Sequence, residues 1–200
     1  MYTIAIVIFD EFTDIDYFLM RDIFGREKQN WQVKVLGTKP EHVSTLGQAV
    51  KTDGPVALAN DADVVVFSSG YKGVPAALAN SDFMDALQLN PQKQLIGSIC
   101  SGAFILHKLG LLDGLKVTTH PDAMGRFRDM GIEPENTPIV IQGNIATAGG
   151  CLSAMYLTGW VAQRLFDDEK RRNIHRQLIP AGQELHFETL IAQTLADAYV

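Results

Sequence analysis

The stretch Gln94-Leu95-Ile96-Gly97-Ser98-Ile99-Cys100-Ser101-Gly102-Ala103-Phe104-Ile105-Leu106-His107-Lys108-Leu109-Gly110 decides how the chain is read. Its first half is a short apolar run expected of a buried strand, and its second half is a helical stretch closed by glycine. Between them, Ser98-x-Cys100-x-Gly102 sets small residues around a sharp turn, a cysteine form of the strand–turn–helix nucleophile elbow. Such a turn pushes Cys100 out of the sheet and leaves it at a helix N-terminus. Only the thiolate is a good nucleophile: roughly 3% is ionised at pH 7 when the pKa is ~8.5, and roughly 97% when it is ~5.5. A helix dipole contributes at most ~2 kcal/mol, about one and a half pKa units. The remainder calls for a hydrogen-bond donor to sulfur from elsewhere in the chain. The competing reading of Cys100 is a buried structural thiol.

Outward from this stretch, strand and helix signals alternate. Tyr2 to Phe9 reads as an opening strand and Asp14 to Phe24 as a helix. Val33-Lys34-Val35-Leu36 is strand-like, and Ser44 to Leu58 reads as a small hairpin turning at Thr52-Asp53-Gly54. Val64-Val65-Val66-Phe67, apolar on both faces, fits a central parallel strand. Ser81 is the expected N-cap of a helix through Leu89, and Leu115 to Thr119 a further strand. A hairpin over 138–148 turns at Gly143-Asn144. Helices follow over 152–166, 169–179 and 184–199. Residues 1–200 are thus expected to form one α/β domain, a doubly wound sandwich with a mostly parallel sheet.

In such sheets, sites collect at the carboxyl ends of the strands. That rule selects Asp14 and Asp16, then Ser68-Ser69-Gly70-Tyr71, then Cys100 and His120. These are an acid, amide donors, a thiol and an imidazole, the parts of a cysteine site. Bulk properties narrow the partners. With 46% hydrophobic and 20% charged residues and a net charge of −6, no basic footprint argues for nucleic acid. Lys170-Arg171-Arg172 follows Asp167-Asp168-Glu169, which reads as a solvated helix start. No apolar run is long enough to span a membrane, and two cysteines make no disulfide framework. The protein is expected to be cytoplasmic and reduced. His42, His107, His175 and His186 have no ligand-like spacing with the cysteines, so no metal is expected. Gly149-Gly150 is not a dinucleotide fingerprint, so no cofactor is expected either, and Cys151 reads as a small buried residue.

Three stretches together resemble the ThiJ/PfpI superfamily, a class I glutamine amidotransferase-like group. They are Ser98-Ile99-Cys100-Ser101-Gly102, Gly110-Leu111-Leu112-Asp113-Gly114-Leu115-Lys116-Val117-Thr118-Thr119-His120 and Gly143-Asn144-Ile145-Ala146-Thr147-Ala148-Gly149-Gly150. The resemblance runs from the first strand to about Phe166 and is nearest to the isonitrile (cyclohexyl-isocyanide) hydratases. It implies a flavodoxin-like fold, a homodimer, Cys100 as nucleophile and Asp16 as the acid, with Asp14 the off-register competitor. Gly70 and Ser101 fall where backbone amides form an oxyanion-type site, with Tyr71 beside them as a substrate contact and His120 behind. The family's Pro-Gly-Gly is replaced by Ser68-Ser69-Gly70, and its Asp-Leu-x-Gly-Pro by Asp16-Tyr17-Phe18-Leu19-Met20. The second departure is expected to reshape the pocket or the dimer contact. Ser101 stands where the protease-type members carry histidine, which argues against a Cys-His protease.

The resemblance implies cofactor-free hydration of a small electrophile such as an isonitrile, giving an N-substituted formamide. Two other expectations are a glyoxalase III-like conversion of α-oxoaldehydes and a non-enzymatic small-molecule or redox-sensing protein. AraC-type regulators contain a similar domain, but a chain ending at Val200 is expected to lack their DNA-binding helices.

Overall fold

The computed structural model describes residues 1–199. Their order is β1 (Tyr2–Val7), α1 (Asp14–Gly25), β2 (Trp31–Gly37), β3 (Glu41–Val43), β4 (Ala49–Lys51), β5 (Gly54–Pro55), β6 (Val64–Phe67), α2 (Gly73–Ala79), α3 (Ser81–Asp85), β7 (Leu95–Ile99), α4 (Ala103–Lys108), α5 (Met124–Asp129), β8 (Ile139–Gln142), β9 (Ile145–Ala148), α6 (Ala154–Leu165), α7 (Asp168–His175) and α8 (Glu184–Asp197). Seven strands form one sheet in the order β5-β2-β1-β6-β7-β9-β8. All neighbours run parallel except β8, which returns antiparallel on β9. The Val64–Phe67 run is buried along its whole length, as a strand covered on both faces must be. This is the doubly wound sandwich expected from the residue pattern, in the flavodoxin-like form that the resemblance implies.

Helices cover the sheet in two contacting groups, one built from α1, α6, α7 and α8, the other including α2, α3 and α4. The long α6 buries Leu157, Trp160 and Val161, each contributing about 1.5–3 kcal/mol of apolar burial. Gly159 lets α7 and α8 lie close against it: a Cβ there would stand 2.9 Å from His175 Cε1 and 3.2 Å from Leu195 Cδ1. The basic run differs from its expectation. Arg171 is fully buried, donating to Asp168 at 2.6 Å and to Glu188 at 2.8 Å, while Arg172 stays exposed. Beside it His175 is buried with Nδ1 unpartnered and Nε2 3.4 Å from Thr158 Oγ1.

Chain order reverses between β1 and β6, since β1 leads to β2 on one side and β6 to β7 on the other. The crevice at that switch point is where an open parallel sheet binds ligands. Two backbone hydrogen bonds tie the loops that leave it, Ser68 N to Val7 O at 3.1 Å and Thr13 N to Ser69 O at 2.7 Å.

Three local expectations give way to side-chain hydrogen bonding. The hairpin is β3–β4 and turns over 44–48, where Asp14 Oδ2 accepts from Leu46 N at 3.1 Å. Asp53 instead exchanges bonds with Val35, its carboxylate accepting from Val35 N at 2.8 Å, so Gly54–Pro55 joins β2 as an edge strand. The cap near residue 81 is Asn80, which accepts from Phe83 N at 3.3 Å. Its helix ends at Asp85, because the Asn60 amide takes Ala86 O and Gln88 N at 2.8 Å each. Leu115–Thr119 is not a strand. β9 fills the edge of β7 and β8 the edge of β9, so Lys116 N and Thr118 N go to the side chains of Gln142 and Thr147 instead.

Candidate active site

Cys100 directly follows β7 with φ at +50°, in the left-handed region. For a residue with a side chain this costs of order 1–3 kcal/mol, and the surroundings must hold it there. Thr119 Oγ1 donates to the Cys100 carbonyl at 2.9 Å, and the amide of Ala103 reaches back to the same oxygen to close the turn. The unfavourable geometry aims the sulfur away from the sheet and over the switch-point crevice.

Asp16 lies in the first turn of α1 and is fully buried. Ser69 Oγ donates to Asp16 Oδ2, while Oδ1 has no hydrogen-bond partner. A carboxylate oxygen of Asp16 and the sulfurs of Cys100 and Cys151 all lie within 4.8 Å of one another. Among the described residues this is the one cluster of three groups with metal-ligand geometry. Two thiolates and a carboxylate suit a thiophilic divalent cation such as zinc, although spacing along the chain pointed to no metal. Cys151 is half-buried and opens into the site, so it is not the enclosed small residue expected of it.

A cavity of about 230 Å³ covers this cluster. Its walls are Thr13, Asp16, Ser69, Tyr71, Cys100, Ser101, His120, Asp122, Ala123, Arg126 and Cys151. The structure therefore brings together Asp16, Tyr71, Cys100, Ser101 and His120 from four separate segments. Tyr71 is 85% exposed and stands at the mouth. His120 Nδ1 accepts from Asp122 N at 3.2 Å, which leaves the proton of a neutral ring on Nε2. Arg126 projects from α5, its guanidinium 4.7 Å from the centre of the Phe104 ring, and supplies the one cation of the wall.

Gly70 sits behind Ser101 and donates its N–H to Ser101 Oγ at 3.2 Å. Its amide thus reaches the cavity through a hydroxyl. A Cβ on Gly70 would stand 2.3 Å from Glu11 O, so the switch-point loops close on each other only with glycine there. Asp14 is turned away from the cavity and holds the 44–48 turn through Ser44 Oγ and Leu46 N. The segment after Asp16 also misses the wall. Tyr17 and Met20 enter the core, Leu19 packs against it, and Phe18 is 42% exposed.

Electrostatics oppose a low thiol pKa while Asp16 is ionised. Burial, and then the Asp16 charge, push the Cys100 thiol far up. The same causes push Cys151 up to about 11. A donor to sulfur of the kind the helix-dipole argument requires would be supplied by the Asp16 carboxyl only in its protonated form. A proton on that carboxyl would both remove the repulsion and supply the donor.

Sequence reasoning missed Thr13, Asp122, Ala123, Arg126 and the role of Cys151. Arg126 lies on a helix with no clear apolar period, and Cys151 meets Cys100 only through the register of β7 on β9. Ser69 was legible as a strand-end residue, but not as the partner of Asp16.

Residues 2–163 match the DJ-1/PfpI family. The chain is 33% identical over 91 residues to Protein DJ-1alpha of Drosophila melanogaster, covering 45% of this chain and 42% of that protein. It is 26% identical over 115 residues to Isonitrile hydratase of Pseudomonas putida, covering 57% of this chain and 50% of that one. The match thus spans half or less of these curated relatives. Among solved structures, a THiJ/PfpI family protein from Pseudomonas syringae superposes with a TM-score of 0.80 at 20% identity, over 98% of this chain and 88% of its own. Oxidized Toxoplasma gondii DJ-1 superposes at 0.78 and 20% identity, over 90% of this chain and 100% of its own. Both likenesses concern the fold.

Proposed function

The chain belongs to the DJ-1/PfpI family, and on that premise we propose that it is a cofactor-free hydratase of a small electrophilic carbon, such as an isonitrile. The observation that carries this reading is the pairing of an elbow cysteine with a fully buried carboxyl that has one oxygen free, inside a cavity of about 230 Å³. The partial likeness to Isonitrile hydratase supports the choice of substrate.

The Cys100 thiolate adds to the terminal carbon of R–NC while Asp16 delivers its proton to that carbon, giving a thioimidate R–N=CH–S–Cys100. Water then attacks the same carbon and Asp16 takes a proton from it. Collapse breaks the C–S bond, leaves R–NH–CHO and returns the starting thiolate and carboxyl. The Ser101 hydroxyl, which already accepts from Gly70 N–H, keeps its own hydrogen to donate to the nitrogen where charge develops. Ser69 holds the carboxyl in place between the two proton transfers. The partner we propose besides substrate is a second copy of the chain, on the α1 face where Ile15 and Phe18 are exposed at 47% and 42%.

The test is formamide formation from a small aliphatic isonitrile, wild type beside Cys100→Ala. Cysteine-dependent formamide is expected. Turnover retained by Cys100→Ala overturns the mechanism. Conversion of methylglyoxal to lactate with no reaction on isonitriles replaces the substrate class.

A further inference from the structure

Cys151 has no part in that chemistry, yet it faces the same cavity as Cys100. The register explains why. Ile99 pairs with Ala148 across the parallel β7–β9 edge, so Cys100 and Gly149 leave the sheet side by side. Gly150, at φ +87°, then bends the chain back so that Cys151 opens the turn into α6 over the elbow. The two sulfurs and an Asp16 carboxylate oxygen lie there within 4.8 Å of one another, and Asp16 Oδ1 has no hydrogen-bond partner. Among the described residues, no other pair of nucleophiles shares a cavity with a buried, unpartnered carboxylate oxygen.

We propose that Cys151 is the resolving thiol of Cys100, so that oxidation of Cys100 by a hydroperoxide ends in an intramolecular Cys100–Cys151 disulfide. In the first step the Cys100 thiolate attacks the terminal oxygen of R–OOH. An S–O bond forms, the O–O bond breaks and the alkoxide leaves as R–OH with the proton of the Asp16 carboxyl, so sulfur loses two electrons, the peroxide gains them and Asp16 is left as the carboxylate. In the second, the Cys151 sulfur attacks Cys100 Sγ. Its proton passes to Asp16, the S–O bond breaks, and the oxygen departs as water with that proton. No further oxidant is needed. The burial that holds the Cys151 thiol high makes such a base necessary, and the Asp16 carboxylate, with an oxygen within 4.8 Å of both sulfurs, is placed to be one. An external dithiol reverses the bond and restores both sulfurs. The cavity is then closed to electrophiles during oxidation and reopened afterwards, whereas a sulfinate on Cys100 would be a permanent loss.

The experiment is independent of any hydratase turnover. Purified protein receives at least two equivalents of hydrogen peroxide, enough to carry one thiol to the sulfinate, is quenched in denaturant with an alkylating agent, and is weighed intact without reductant. Wild type is expected to lose two hydrogen atoms, to take up no alkyl groups, and to recover two alkylatable thiols after dithiothreitol. Cys151→Ser and Cys151→Ala are expected to gain two oxygen atoms instead and to recover no thiol at position 100. Wild type that gains two oxygens while Cys151 stays alkylatable overturns the proposal. So does a disulfide between two chains. Both of these outcomes are read on wild type, so they survive poor folding of either variant.

Discussion

Lowering the pH should destabilise this protein through a single buried imidazole. His175, at the end of α7, is packed against α6, and burial, and then the charge of Arg171, bring its pKa down from 6.5 to about 4. The folded state therefore refuses a proton that the unfolded chain accepts. Between pH 6.5 and 4 the unfolded state binds more protons, so stability is full above that window and falls as the pH drops through it. The gap corresponds to about 3 kcal/mol in all, of which about 2 kcal/mol falls between pH 7 and pH 5. For a chain of this size that is a loss of roughly 4–8 °C in Tm. Asp168, held at about 2 by its hydrogen bond to Arg171, responds only below its ordinary value and lies outside the window. The assay is thermal unfolding by circular dichroism at pH 7 and pH 5, for wild type and His175→Gln. The variant starts lower because packing is lost, but its drop between the two pH values should be smaller by that 4–8 °C. Equal drops in the two proteins would refute the assignment of the proton to His175.

The site makes three further demands. Asp16→Asn should lower isonitrile turnover by about 100-fold or more, as loss of an acid–base group does; turnover within a few-fold of wild type would remove Asp16 from the proton path. Gly70→Ala forces a Cβ to within 2.3 Å of Glu11 O and should cost about 1–3 kcal/mol in a urea melt. An unchanged midpoint would show that the two loops have room to part. Phe18→Asp should convert a dimer to a monomer by light scattering, with the far-UV spectrum retained. A dimer that survives the change places the interface elsewhere.

What could be read in the chain was what depends on neighbours in sequence. Val64–Phe67 is apolar at every position because both faces are covered, and Cys100 is flanked by the small residues its turn requires. The misread elements depend on partners far along the chain. Leu115–Thr119 has the composition of a strand, but its ladder positions are taken by β9, and its amides go to Gln142 and Thr147. Arg171 sits in a run of charges that looks solvated, yet α8 brings Glu188 over it from 17 residues away. For the same reason the carboxyl and the elbow were legible, while the second thiol was not: nothing near Cys151 in sequence announces the register that carries it to Cys100.

The tight closure of the two loops at Gly70 bears on how such a site changes its substrate over evolutionary time. Behind the wall made by residues 10–16 and 68–71, Gly70 meets Glu11 O backbone against backbone, so a side chain at residue 70 would part the loops. The opposite wall, from His120 to Arg126, hangs from a strandless segment and carries Asp122 and Arg126 in solvent. Substitutions on that side leave the sheet untouched while altering the size and charge of the opening. One half of the pocket is in effect inherited and the other negotiable, and a search for altered selectivity should spend its library on residues 120–126.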